Sequence, residues 1–298
     1  MTACLIALAI ALQPSARDAA LTARIAQMFH AVVSLDDNDP QKTLAEADLH
    51  QIFTTRGIPT PDDVGDEAAY EFVFLLCTTG SMNARTSALP SVHAAQAKGV
   101  IPADAGLYCA ARIKQDQLMA KALLRPPSNP ALAKTIQDMF VRDQAVRQPK
   151  DFDPARMMQT DRELEAPLMT ILDRYGVPTY ALVGVEAASQ FVTMIQHQPA
   201  QFRQQVLPQL KASVAAGQAD PQSYALVYDR SQRDVGKNQL YGENLECKAG
   251  EKLHEAPIED ESHVNQRRAE LGLIRMELYV RLVQKTMPQL CTPTEMKK

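Results

Sequence analysis

The most constraining feature of this 298-residue sequence is that it repeats itself. LTARIAQMF (Leu21–Phe29) and LAKTIQDMF (Leu132–Phe140) share Leu, Ile, Gln, Met and Phe, with their ends 111 residues apart. RGIPTPDDVGDEAAYEF (Arg56–Phe72) and YGVPTYALVGVEAASQF (Tyr175–Phe191) share Gly-x-Pro-Thr, Val-Gly, Glu-Ala-Ala and Phe at an offset of 119. Leu89-Pro90, Gly99 and Arg112 then match Leu207-Pro208, Gly217 and Arg230 at an offset of 118. Ordered matches with so little drift imply one ancestral unit doubled, and each half must satisfy the same fold.

Each half reads as helical, so the expected fold is all-α, a tandem duplication of a helical domain with a degenerate first copy. In the second half, Thr160-Asp161-Arg162-Glu163 has the form of a capping box. Leu164, Leu168, Ile171, Leu172 and Tyr175 follow at helical spacing, and Gly176 and Pro178 end the run. Further helices are expected over 132–147, 186–198 and 204–216, and from the cap Asp220-Pro221 onward. Gln239–Leu245 suits a short extended piece. The expected organisation is a signal segment over 1–17, a degenerate repeat over 18–122, a proline-rich linker over 123–131, and a second repeat with C-terminal extension over 132–298.

A doubled chain carries its own comparison. Positions shared by both copies are mostly apolar, Gly or Pro, which serve the fold. Positions polar only in the second copy are candidates for chemistry. Gln196-His197 faces Cys77-Thr78, Asp229 faces Ala111, and Asp143-Gln144-x-x-Arg147 faces Val32-Val33-x-x-Asp36. Gly236-x-x-Gln239-x-Tyr241-Gly242 has no intact counterpart. One explanation is that the first copy lost a site and kept the scaffold. Drift on a solvated face is the other.

The series Asp143-Gln-x-x-Arg147, Gly176-Val-Pro, Val183-Gly184, Gln196-His197, Asp229-Arg230 and Gly236-x-x-Gln239-x-Tyr241-Gly242 resembles a bacterial family of uncharacterised proteins, a domain of unknown function. The resemblance runs from about Leu132 to Tyr279 and includes Arg268, Gly272 and Leu273. Val177 stands where the family carries Trp, and Glu243-Asn244 where it carries Thr-Gln. The resemblance implies a shared fold and a shared polar site in secreted or envelope proteins. It implies no reaction.

The residue types permit one. Histidine beside a carboxylate can act as general base, the carboxylate fixing the tautomer. His197 is the expected base, Asp229 its expected partner, and Tyr241 an auxiliary donor. Arg147 and Arg230 offer forked donors for a carboxylate or phosphate. Asp143, Gln144, Gln196, Gln239 and Gly242 complete the expected ligand-binding set. The set would suit a hydrolase or lyase acting on a small anionic or peptide-like substrate. A buried Asp/Arg network that locks helices would use the same residues, and a binding or immunity-type protein facing a protein partner is the alternative function.

No phosphate-binding glycine loop, nucleophile elbow or zinc-protease helix is present, and nothing calls for a cofactor. His254 and His263, in the acidic stretch 251–263, suit a surface loop better than a metal site. QFRQQ (Gln201–Gln205) suits a solvated helix start. Net charge −4, pI about 5.9 and no Trp argue against a nucleic-acid partner. The apolar run Leu5–Leu12 is too short to span a membrane but suits a signal peptide, though no Lys or Arg precedes Arg17. Cleavage would leave Cys77, Cys109, Cys247 and Cys291. Cys77 and Cys109 occupy the positions of Gln196 and Val227, two residues short of Asp229 in the latter case. If the second-copy residues face each other, Cys77 and Cys109 should pair, leaving Cys247 for Cys291. Four free buried thiols are the other outcome. Disulfides would favour a periplasmic or secreted location.

Overall fold

The computed structural model describes residues 18–36, 38–148, 152–247 and 253–286. The signal segment expected over 1–17 therefore lies outside the described residues, as does Cys291. The described chain is mostly helical, and two compact units divide inside one helix, between Gly106 and Leu107.

The first unit contains α1 (Ala19–Ser34), α2 (Pro40–Arg56), α3 (Pro61–Val64), α4 (Asp66–Thr78) and α5 (Met82–Ala97), and α6 (Ala103–Ala122) begins in it. α4 is the central helix and packs against α1, α2, α3 and α5. Its run Ala68-Ala69-Tyr70-Glu71-Phe72-Val73 is buried on every face, which explains why it is apolar beyond a single stripe. Thr60 starts α3 with a reciprocal cap: its side chain accepts from the Asp63 N–H while Asp63 accepts from the Thr60 N–H.

In the second unit the succession is α7 (Pro130–Ala145), α8 (Pro154–Tyr175), α9 (Tyr180–Val183), α10 (Val185–Gln196), α11 (Ala200–Ala215) and α12 (Pro221–Asp234). α10 is central here and packs against α7, α9, α11 and α12. Ile136, Leu164, Leu168, Phe191, Met194, Ile195, Leu210 and Val227 are fully buried around it. Each such side chain contributes roughly 1.5–3 kcal/mol by leaving water. The two units thus run through helices of similar length in the same order. Gly65 and Gly184 link the four-residue helix to the central helix in both, with φ of 91° and 85°. That left-handed backbone is open to glycine at no steric cost, which is why Val-Gly recurs.

Several helix ends follow the sequence signals. Asp220 caps α12 by accepting from the Ser223 N–H, and Gly176 closes α8. The capping box expected at Thr160 is not a cap. α8 starts six residues earlier, where Asp153 accepts from the N–H groups of Ala155 and Arg156 and Pro154 takes the first helical position. Thr160 is buried inside the helix, which frees Asp161 for the site. The proline-rich stretch before α7 is bonded to the unit: the Ser128 and Asn129 N–H groups donate to Ala181 and Leu182.

Beyond α12 a loop leads to β1 (Leu245–Glu246), which pairs antiparallel with β2 (His254–Glu255). A 3-10 turn, α13 (Val264–Glu270) and α14 (Met276–Thr286) follow. His263 pairs with Asp260 at 2.7 Å, and His254 lies 3.9 Å from Glu246. Both are exposed surface pairs. Among the described residues no helix is long and apolar enough to cross a membrane.

Cys77, in the last turn of α4, and Cys109, in α6, are joined by a disulfide. Cys247 is disulfide-bonded as well.

Candidate functional site

His197 closes the C-terminal end of α10, and Asp143 lies on the last turn of α7, the helix packed against it. That packing brings two residues 54 positions apart into contact, with His197 Nδ1 3.0 Å from Asp143 Oδ1. Asp143 is fully buried. Its Oδ2 accepts from Gln144 Nε2 at 2.7 Å, and its Oδ1 faces Arg147 Nη1 at 3.2 Å. Arg147, one turn later, also donates to the Asp143 carbonyl and to Asp161 on α8. The result is a chain His197–Asp143–Arg147–Asp161 across three helices.

A carboxylate beside an arginine can only accept, so the imidazole nitrogen facing Asp143 carries the proton. In the neutral ring Nε2 is then left with its lone pair. Nε2 has no hydrogen-bond partner among the described residues, and the side chain is 15% exposed. Asp143, Asp161 and His197 also bring ligand-type atoms within 4.8 Å of one another. Arg147, whose guanidinium bonds both carboxylates, supplies one positive charge against their two.

His197 lines a cavity of about 360 Å³, walled by α8, the α10–α11 turn, α11 and α12. Asp161, Arg162 and Glu165 come from α8, Gln196 and Gln198 from the turn, Arg203 from α11, and Arg230 and Asp234 from α12. Arg203 is only 2% exposed. Its Nη1 donates to the carbonyls of Gln196 (3.2 Å) and Gln198, its Nη2 to Asp234, and its Nε to Ser231 Oγ (3.3 Å). It therefore bolts the turn that carries His197 to α11 and α12. Arg230 is exposed and makes no hydrogen bond or salt bridge with any described residue. Partial desolvation of its guanidinium by the cavity wall, together with the charges of Arg203 and Arg147, pulls its pKa below the usual arginine value, with Asp234 and Asp161 opposing.

Asp229 was the expected partner of His197, and the structure corrects this. Both Asp229 oxygens are taken by backbone: Oδ1 accepts from Leu240 (2.7 Å) and Tyr241 (3.1 Å), Oδ2 from Tyr241 (3.2 Å) and Glu243 (2.9 Å). Burial pushes its pKa up, and these three N–H groups and Arg268 oppose the rise. Tyr241 likewise sits elsewhere, its ring packed edge-on against Tyr224 and Tyr228 at 6.1 and 5.7 Å. Burial raises its pKa above the usual tyrosine value. Gln239 is fully buried and holds the same loop, donating to the Asn244 and Ala256 carbonyls and accepting from the Asn244 N–H. Gly242, at φ 78°, passes so close to Met276 that a Cβ would lie 2.4 Å from its sulfur. None of Asp229, Gln239, Tyr241 and Gly242 lines the cavity of His197. They form a clamp on the loop after α12, completed by the buried pair Arg268–Glu243 at 2.8 Å and by Tyr279, whose ring lies 4.7 Å from the Arg268 guanidinium.

The expected ligand-binding set thus splits in two. Asp143, Gln144, Arg147, Gln196, His197 and Arg230 gather around the cavity or the His197 network. The Gly-x-x-Gln-x-Tyr-Gly segment serves the loop. A model of a family of unknown function, DUF6624, matches residues 128–289, more than half of the chain. The chain belongs to the DUF6624 family. No curated protein and no solved structure matches it. The DUF6624 region begins just before α7 and contains the whole His197 network and the loop clamp.

The sequence reads Arg203 as part of the solvated helix start QFRQQ, whereas the structure buries it, and Asp161 and Gln198 are not singled out for the site. Arg203 carried a signal: Arg85 stands 118 residues before it, the same offset that relates Arg112 to Arg230. A search for differences between the copies passes over a shared arginine. Nothing in the sequence marks Asp161 or Gln198.

Proposed function

We propose that this chain is an acid/base enzyme, a hydrolase or lyase, acting on a small anionic or peptide-like substrate in the cavity beside His197. One observation carries the proposal: a fully buried carboxylate holds His197 Nδ1 while Nε2 is unbonded and the ring lines a cavity. Nε2 would take a proton from an attacking water or from substrate carbon and return it to the leaving group. Asp143 would fix the ring and stabilise the imidazolium. Arg230, without a hydrogen-bonded partner on the rim, would hold the anionic group.

The second reading is a non-catalytic binding or immunity-type protein. Phe152 and Met158 favour it, because both are about half exposed near the start of α8 and Met158 lines the cavity. A protein partner would cover such apolar surface.

A screen separates the two. Wild-type protein and His197→Gln are incubated with pooled short peptides, amino-acid amides and carboxylate or phosphate esters, and products are read by mass spectrometry. The enzyme reading expects a product that falls at least ~100-fold in the variant. Equal product from both proteins, or none from either, rejects it.

We also propose that the two units descend from one duplicated ancestor whose first copy lost the site, a reading supported by their matching helix order. A periplasmic or secreted location is supported by the Cys77–Cys109 disulfide and the apolar run near the N-terminus.

A further inference from the structure

Gln198 follows His197 in the turn between α10 and α11. Its backbone is held at both ends: the N–H donates to Ile195 at 3.1 Å and the carbonyl accepts from Arg203. The side chain is treated differently. The residue is 1% exposed, yet neither Oε1 nor Nε2 has a hydrogen-bond partner among the described residues. Exchanging the two atoms would not help, since both are unpaired. Buried amides are almost always bonded, because a stranded donor or acceptor keeps its full desolvation cost. Gln198 lines the cavity that also carries the catalytic candidate, its amide is enclosed there without a partner, and a turn of the side chain would present that amide to a ligand.

From this we infer that Gln198 reads a carboxamide or peptide group of the ligand, while Arg230 takes an anionic group on the same molecule. The inference rests on the proposed use of the His197 cavity and narrows its substrate to an amide-bearing anion. The chemistry follows from what glutamine offers. Its amide presents one acceptor and two donors side by side, and its natural complement is another amide, paired N–H to C=O in both directions. A carboxylate alone would satisfy the donors and strand Oε1. A nucleobase edge could also pair with the amide, but no Phe, Tyr or Trp among the described residues lines this cavity to stack on a base. At about 360 Å³ the cavity lies at the small end of ligand sites and suits a metabolite rather than a long peptide.

The test uses full-length protein and three probes: succinamate, which carries a carboxamide and a carboxylate, succinate, which has no amide, and propionamide, which has no charge. Binding is measured by calorimetry for wild type, Gln198→Met and Arg230→Met. Methionine keeps the volume and removes both polar atoms. Wild type is expected to bind succinamate at least ~10-fold tighter than either other probe, since a site built around a polar group rejects a ligand that cannot pair with it. In Gln198→Met the succinamate advantage over succinate should vanish, and in Arg230→Met the advantage over propionamide should vanish. Thermal melting of the ligand-free proteins supplies an independent readout. Removing an unpaired buried amide should raise the midpoint of Gln198→Met or leave it unchanged. A lowered midpoint would mean that the amide is bonded within the fold, and overturns the inference. So does a wild type without preference for succinamate, or a preference that survives in Gln198→Met. If amide selectivity holds and no turnover is found, the catalytic reading fails alone. If turnover depends on His197 but is indifferent to Gln198→Met, the present inference fails alone.

Discussion

Two arginines on one cavity wall should respond very unequally to the same substitution. Arg203→Met removes a buried guanidinium that serves the Gln196 and Gln198 carbonyls, Ser231 and Asp234. Ser231 keeps its own bond to the Val227 carbonyl at 2.7 Å, so little is lost there. The Asp234 side chain is 47% exposed and remains solvated, for a loss of at most about 1 kcal/mol. The two carbonyls lose a charged donor, at about 1.5–3 kcal/mol each. The buried methionine returns about 1–2 kcal/mol of apolar burial. The net expectation is a destabilisation of roughly 1–6 kcal/mol, which corresponds to a melting point lower by roughly 2–24 °C in a unit of this size. Arg230→Met removes an arginine with no hydrogen bond or salt bridge among the described residues, and should stay within about 0.5 kcal/mol of wild type. Arg203→Lys should fall between, because one ammonium with three donors cannot reach the four acceptors that the guanidinium fork serves. Urea denaturation followed by circular dichroism, with calorimetric melting as a check, reads all three. If Arg203→Met and Arg230→Met both lie within 0.5 kcal/mol of wild type, Arg203 does not bolt the His197 turn and the account of the cavity wall is wrong.

Burial pushes the Glu71 carboxyl from 4.5 up to about 7, so the native state keeps a proton that the unfolded chain releases. This group's contribution is fully present below about pH 4.5, declines as pH rises through about 7, and is flat above. Glu71→Gln, which places in α4 the residue found at the matching position 190, should match wild type at pH 4.5 and exceed it by roughly 3 kcal/mol at pH 8 in urea melts; equal pH slopes for both proteins would refute the assignment. Asp229→Ala should release the loop after α12, with amide exchange at Leu240, Tyr241 and Glu243 at least ~10-fold faster and the NMR signals of the His197 ring unchanged. A shifted His197 ring would return Asp229 to that site. Replacing Cys77 and Cys109 by Ala opens a loop of about 32 residues and should cost roughly 3–4 kcal/mol in urea melts under oxidising conditions, with no such loss counting against a staple.

Sequence alone settled the local matters. The helical class, the end of α8 at Gly176 and the cap at Asp220-Pro221 follow from residue types acting over one or two turns. Comparing the two halves of the sequence went further and brought His197, Asp143 and Arg147 to notice, but it brought Asp229, Gln239 and Tyr241 with them, which serve the loop after α12. It also suggested the Cys77–Cys109 pairing, which the structure shows, although the premise that His197 faces Asp229 does not hold. The tertiary structure decided who bonds to whom. Asp143 and Asp229 are both buried carboxylates absent from the first half, and nothing in their local sequence tells which one meets an imidazole. The packing of α7 on α10 delivers Asp143 across 54 residues, while the loop folding back on α12 saturates Asp229 with N–H groups. A start signal at Thr160 likewise lost to Asp153-Pro154, because a helix extends to its strongest cap and weaker ones become interior. Arg203 passes for a solvated residue because Gln201, Gln204 and Gln205 around it are polar, and Gln198 escaped notice because an unmet hydrogen bond exists only once the surroundings are fixed. Pattern and propensity are properties of neighbours along the chain; partnership and burial are properties of neighbours in space.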